Sequence, residues 1–193
     1  MRGMQAMIVG LAWALAACVS APDAPPLPAV AELEERAESP AALAVSLLSA
    51  AEASPNDESR LPYVQRLDSL GVRVEQDQAD DPLSAWRADI VQKGPVWRGR
   101  TLGPAYRRAR LAPGESMAME QVFYAGERAE IAAQASRGAK VELAIRDREA
   151  KKVCARTLSP QARCLWLPRF TERFAITLTN HGTKPASIYL VLN

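Results

Sequence analysis

Apolar residues recur along this chain with two different periods, and the change falls near Gly94. Before it the spacing is helical. Ala29 to Glu38 is rich in Ala, Glu and Leu, with Glu32 and Arg36 at pairing distance on one face. Ser39-Pro40 reads as an N-cap followed by proline at the first helical position, opening a helix through about Ala53. The apolar positions Leu43, Leu47, Leu48 and Ala51 form one stripe on it. A third helix is predicted over Leu61 to Leu70, with Gly71 as its stop. A fourth opens after Asp81-Pro82 and ends near Gly94-Pro95, carrying Leu83, Trp86 and Ile90 on one face. Short helices of this kind are marginal alone, so they are expected to pack on something else.

After Gly94 the period is two. Ala105 to Leu111, Met117 to Tyr124, Arg128 to Ala135, Lys140 to Arg146, Lys152 to Arg156, Arg163 to Leu167, Arg173 to Thr179 and Ser187 to Leu192 all read as strands. Val141, Leu143 and Ile145 alternate cleanly, as do Phe174, Ile176 and Leu178. Ala112-Pro113-Gly114, Ala125-Gly126-Glu127, Arg137-Gly138 and Asn180-His181-Gly182 mark the turns. About eight short strands at such spacing predict an antiparallel β-sandwich. The fold class is therefore α+β, a helical region over residues 29–93 followed by a sandwich over residues 94–193.

The N-terminus carries an address. Arg2 is followed by an apolar run from Met7 to Ala17, too short for a permanent span of roughly 20 residues but suited to a cleaved signal. It ends in Leu15-Ala16-Ala17-Cys18, which resembles the lipobox of bacterial lipoproteins at all four positions. That resemblance implies a signal peptide over residues 1–17, a thioether diacylglycerol on Cys18, cleavage before it, and acylation (palmitate or a similar chain) of the new amino group. Two or three acyl chains, at about 0.8 kcal/mol per buried methylene, hold a protein at a bilayer where one does not. Val19 stands where an aspartate would favour inner-membrane retention, so the expected address is the outer membrane, periplasm-facing. Residues 18–28, ending Ala24-Pro25-Pro26-Leu27-Pro28, form a proline-rich tether.

Charge alters the picture once the chain is divided. Residues 18–93 hold 6 Lys+Arg against 14 Asp+Glu, and residues 94–193 hold 17 against 8. An acidic helical half therefore precedes a basic sandwich, and docking of one on the other is one outcome. With Cys18 spent on lipid, Cys154 and Cys164 remain as an even pair in an oxidising compartment, and a disulfide is predicted between them. Leu158-Ser159-Pro160-Gln161-Ala162 reads as the turn of a hairpin that would set them opposite each other. A metal is not expected, because zinc takes about four ligands and the chain has one histidine.

Further resemblance lies in the last ninety or so residues. The runs Cys164 to Pro168, Phe174 to Gly182 and Tyr189 to Asn193 are similar to the last three strands of bacterial pre-peptidase C-terminal domains. Phe123 to Glu127 and Val141 to Asp147 also fit that family's second and fourth strands. The resemblance implies a small jelly-roll-like sandwich of the kind appended to secreted proteins, some of which bind carbohydrate, collagen or calcium. Asp147 alone matches an acidic position of the family, with no carboxylate cluster around it.

Catalytic constellations do not emerge. His181 lies in the turn Asn180-His181-Gly182-Thr183, and no Gly-x-Ser-x-Gly elbow occurs. Glu34-Glu35 and Asp80-Asp81 read as solvated faces and a helix cap rather than a paired-carboxylate cleft. The glycines are scattered turn residues and make no phosphate loop. Trp97, Tyr106 and Trp166 offer a sugar-stacking set, though Trp166 reads as core. The feature with functional content is the basic sandwich, where Arg107, Arg108, Arg110, Lys151 and Lys152 are the candidate residues for an envelope polyanion or an acidic protein partner. Nucleic acid is excluded by address, and no cofactor is expected. The expected function is a non-enzymatic binding or scaffolding module of the cell envelope. The alternative is an envelope hydrolase or enzyme accessory subunit with a site between helices and sandwich.

Overall fold

A computed structural model describes residues 26–75, 78, 80–89 and 103–193. The signal segment, Cys18, most of the tether, Trp97 and the end of the fourth helix lie outside the described residues. Helices α1 (Val30–Arg36), α2 (Pro40–Ala53) and α3 (Asp57–Ser69) lead into a short strand β1 (Arg73–Val74) and helix α4 (Pro82–Asp89). Eight strands follow: β2 (Ala105–Leu111), β3 (Ser116–Phe123), β4 (Ala129–Ala135), β5 (Val141–Arg146), β6 (Lys152–Leu158), β7 (Gln161–Trp166), β8 (Glu172–Asn180) and β9 (Ala186–Leu192).

The strands form two sheets, with orders β1-β2-β9-β4-β7 and β3-β8-β5-β6. Apart from the parallel β1–β2 pair, every ladder is antiparallel. From β2 onward every connection except β5–β6 crosses from one sheet to the other, which makes the double Greek key of a jelly roll. The sandwich and the α+β class match the sequence expectation.

Burial explains why two strand patterns coexist. In β8 the residues alternate, with Phe174, Ile176 and Leu178 inward and their neighbours toward solvent. In β4 (AEIAAQA) and β9 (ASIYLVL) nearly every residue is buried, because these strands are covered on both faces. Their inner faces join Val141, Leu143, Ile145, Ile176 and Leu178 in the core between the sheets. Their outer faces, through Ala132, Tyr189 and Val191, join Leu43, Leu47, Leu48, Val64, Leu67 and Leu83 in a second core beneath the helices. Full burial of side chains such as Leu47 and Leu48 contributes about 1.5–3 kcal/mol each. Helix α2 lies between the sheet and the other helices, so its burial extends well beyond the single stripe read from sequence.

Three local devices hold the helices in place. The Ser39 hydroxyl accepts the Ala42 N–H at 3.1 Å and donates to buried Glu130 on β4, so one cap serves both the helix and the sheet. Helix α3 starts at Asp57 rather than Leu61, because Asn56 caps it by accepting the Ser59 N–H at 2.9 Å. Pro62 lies inside that helix, which is why the sequence pattern placed the start too late. At its end Gly71, with φ +68, gives its N–H to Asp68 and Val72 gives its own to Leu67, a Schellman stop that turns the chain into β1. A Cβ on Gly103 would come within 2.3 Å of the Gly71 carbonyl oxygen, so β2 begins by backbone contact with this stop.

The expected β6–β7 hairpin is corrected. Cys154 and Cys164 are bonded, with Cα atoms 6.0 Å apart, but β6 and β7 belong to opposite sheets. The 158–162 turn carries the chain from one sheet to the other, and the disulfide ties the two edge strands across the open side of the sandwich.

Candidate functional site

The basic residues singled out by sequence do not converge. Arg107, Arg108 and Arg110 lie along β2 beside the β1 edge, whereas Lys151 and Lys152 lie at the start of β6, the edge strand of the other sheet on the opposite side. Arg108 is no surface cation. Its side chain is 9% exposed, pairs with Glu52 of α2 and with Asp80 at 3.2 Å, and lies over the Tyr189 ring at 5.9 Å. Its inclusion in a polyanion site is thereby corrected, since its charge is consumed in holding α2 to the sheet. The sugar-stacking set also dissolves: Tyr106 is buried beneath the helices and Trp166 packs edge-on against Phe123, with centroids 4.8 Å apart.

Groups with shifted ionisation gather in this same helix–sheet seam. Tyr106 donates its hydroxyl proton to Asp81 and accepts the Leu83 N–H at 3.2 Å. Burial pushes the Tyr106 and Tyr189 hydroxyls well above the ordinary tyrosine range. Burial alone would raise Asp81, but hydrogen bonds from Ser84 and Tyr106 outweigh it and hold the carboxyl below its ordinary value. Desolvation lowers the Arg108 guanidinium. Tyr106 with Asp81, and Arg108 with Glu52 and Asp80, tie α4 and α2 to the sheet, whereas the buried Tyr189 hydroxyl has no hydrogen-bond partner among the described residues.

An exposed candidate surface lies at the β3–β4 end of the sandwich. Loop residues 124–128 and 167–171 run side by side there, joined by Gly126 N–H to Pro168 O and Ala125 N–H to the Thr171 hydroxyl, both at 3.0 Å. Below them Phe123, Trp166 and Phe174 form a close aromatic cluster that fixes the loop bases. Above it, Tyr124, Leu167 and Phe170 point to solvent at 60%, 65% and 72% exposure. Beside them opens a cleft of about 270 Å³, whose lining includes Arg73, Glu75, Gln121, Tyr124, Arg128 and Asn193. Large apolar side chains are thus held outward on fastened loops. Sequence reasoning placed Tyr124 and Leu167 at strand ends. The available signal was an apolar residue beside each turn marker, Tyr124 before Gly126 and Phe170 after Pro168.

His181 is an exposed turn residue, with Nε2 3.3 Å from a Glu142 carboxylate oxygen. Among the described residues no cluster of His, Cys, Asp and Glu has the makings of a metal site, and no described helix is long and apolar enough to cross a membrane.

Fold and surface together define a jelly-roll β-sandwich with a helical cover on one sheet and loop-borne surfaces at its ends. Neither a family model nor a curated protein matches the chain. Among solved structures, the sandwich is similar to the pre-peptidase C-terminal domain of a collagenase from Bacillus anthracis. That likeness has 5% identity over 47% of this chain and 89% of that one, at a TM-score of 0.43. The chain is also similar to PliG of Aeromonas hydrophila, a periplasmic inhibitor of g-type lysozyme. Here the identity is 9%, over 47% of this chain and 86% of that one, at a TM-score of 0.36.

Proposed function

We propose that this chain is a lipoprotein, acylated at Cys18 and held at the outer membrane facing the periplasm, that serves as a non-enzymatic binding module of the cell envelope. The observation that carries the binding function is the β3–β4 end, where Tyr124, Leu167 and Phe170 stand exposed on two fastened loops. Burying them against a partner would remove from water the three most exposed large apolar side chains among the described residues. The hydrolase alternative asked for a cleft lined by convergent shifted groups. The shifted groups instead lie in the helix–sheet seam, with Tyr106 bonded to Asp81 and Tyr189 buried under Arg108, and line neither exposed cleft, which favours binding.

Two measurements test the proposal. Labelled palmitate fed to producing cells is expected in the wild-type chain and absent from Cys18→Ser, which should leave the membrane fraction; unchanged processing and fractionation of the variant would remove the anchor. Full chain isolated in detergent, compared with Leu167→Asp/Phe170→Asp, is expected to retain an envelope component that the variant loses at unchanged melting temperature. Equal retention by both would refute the assigned face.

A further inference from the structure

We propose that the opposite end of the sandwich carries a binding site for phosphate monoesters, in the cleft between the loops at residues 136–140 and 181–185. This goes beyond the binding function assigned above, involves none of the same residues, and stands or falls independently of it.

Arg137, Lys140 and Lys184 line this cleft of about 280 Å³, together with Ser136, His181 and Thr183. Among the described residues, none of these three cations has an ion pair or a side-chain hydrogen bond, unlike Arg60, Arg66, Arg87, Arg108 and Arg163. No carboxylate among the described residues lines the cleft, and Glu142 lies 3.3 Å from His181 at its rim. Three like charges brought to one concavity repel one another, an arrangement relieved by a bound anion. A guanidinium fork with two mobile ammonium groups matches a compact dianion with three terminal oxygens better than a lone carboxylate.

The loops are built to hold that shape. Asn180 is fully buried, and its side-chain N–H groups donate to the carbonyls of Leu111, Ala112 and Lys184 at 3.1, 3.2 and 2.9 Å. Its Oδ1 accepts the Gly182 N–H at 2.9 Å. A Cβ on Gly182 would press to 3.0 Å from that oxygen and 3.5 Å from the Lys140 backbone nitrogen, so the loops meet closely at this position. The His181 N–H donates to the Lys140 carbonyl at 2.8 Å, fastening one loop to the other. Gly138, at φ +78, turns the chain between Arg137 and Lys140 so that both face the cleft. The Asn180 amide thus sets the loop that carries Lys184, and the His181–Lys140 backbone bond ties to it the loop that carries Arg137 and Lys140, so the cost of ordering the loops is met in folding rather than on binding.

Backbone amide shifts of the full chain in detergent micelles, titrated at low salt with inorganic phosphate, glucose 1-phosphate and acetate, test the site. Saturable shifts confined to residues 136–140 and 181–185 are expected with both phosphates, weakening at least tenfold in Arg137→Gln/Lys140→Gln/Lys184→Gln, a surface variant that leaves Asn180 intact. The acylated chain placed in nanodiscs of phosphatidylcholine with or without phosphatidic acid separates a lipid source from a soluble one: shifts at residues 136–140 and 181–185 that appear with phosphatidic acid and are lost in the triple variant assign lipid phosphates, and identical spectra in both discs assign soluble ones. Absence of saturation, equal affinity in the triple variant, or acetate binding as tight as phosphate would overturn the proposal.

Discussion

Reducing the Cys154–Cys164 bond while keeping both sulfurs in place isolates what the cross-link contributes. The cysteines are 10 residues apart. In the chain-entropy description, tying an unfolded chain over so short a loop stabilises the folded state by roughly 2.7 kcal/mol. For a domain of this size each kcal/mol is about 2–4 °C in melting temperature, so reduction should lower it by about 5–11 °C. That magnitude would be the same for a hairpin, because it depends on loop length alone. The location of the effect would differ. Strands β6 and β7 each have a single ladder neighbour and are edges of opposite sheets. Reduction should therefore speed amide exchange along the β6 and β7 edges before it reaches β8 and β9. Calorimetry with and without a phosphine reductant, followed by hydrogen exchange, provides the assay, and Cys154→Ala/Cys164→Ala serves as the control that no longer responds to reductant. A change under about 2 °C in the wild-type chain, or exchange that rises uniformly, would refute the view that the bond closes the open side of the sandwich.

Two further outcomes follow from the helix–sheet seam. Arg108→Met should destabilise by about 2–3 kcal/mol, below the full cost of orphaning a buried charge because Glu52 and Asp80 reach water, with urea midpoints as the measure. Asp81, held below the ordinary aspartate value of 3.8, contributes stability that is present above that value and lost as pH falls through its folded one. Asp81→Asn should therefore be less stable at neutral pH yet lose less stability on acidification below pH 3.8, read from melting temperatures across the acid limb.

Legibility in the sequence followed the number of neighbours needed to decide each feature. Helix α2 and its Ser39 cap, and the alternating strands β5 and β8, are specified by residues within one turn or one face, and they fell where the pattern put them. Strand β1 is two residues long and exists because β2 lies beside it, so no local period announces it. The 158–162 turn has the composition of a hairpin turn, and only the partners of β6 and β7 reveal that it changes sheets. The candidate surfaces were hidden for the same reason. Tyr124 and Phe170 are 46 residues apart in sequence, and only the register of β3 on β8 and of β4 on β7 sets their loops side by side. Arg137 and Lys184 likewise come to one cleft only through the His181–Lys140 backbone bond that joins their loops.

Opposite charge on the two halves of the chain has a narrower meaning than a count suggests. Where the acidic helices meet the basic sandwich, Glu52 and Asp80 engage Arg108, and Glu38 engages Arg163 beside buried Glu130. The other ion pairs of the helical region among the described residues, Arg36–Glu32, Arg60–Asp57, Arg66–Glu34 and Arg87–Asp68, lie within it. Among the described residues, attraction between the halves is therefore spent at two arginines of one sheet, while the apolar core beneath α2 supplies the bulk of the docking energy. Cations at the loop ends lie away from this seam and keep their charge for solvent or a ligand. An anion approaching the molecule is turned away from the acidic helical cover and drawn to the strand ends, where Arg137, Lys140 and Lys184 share a cleft and the cations of β2 and β6 do not.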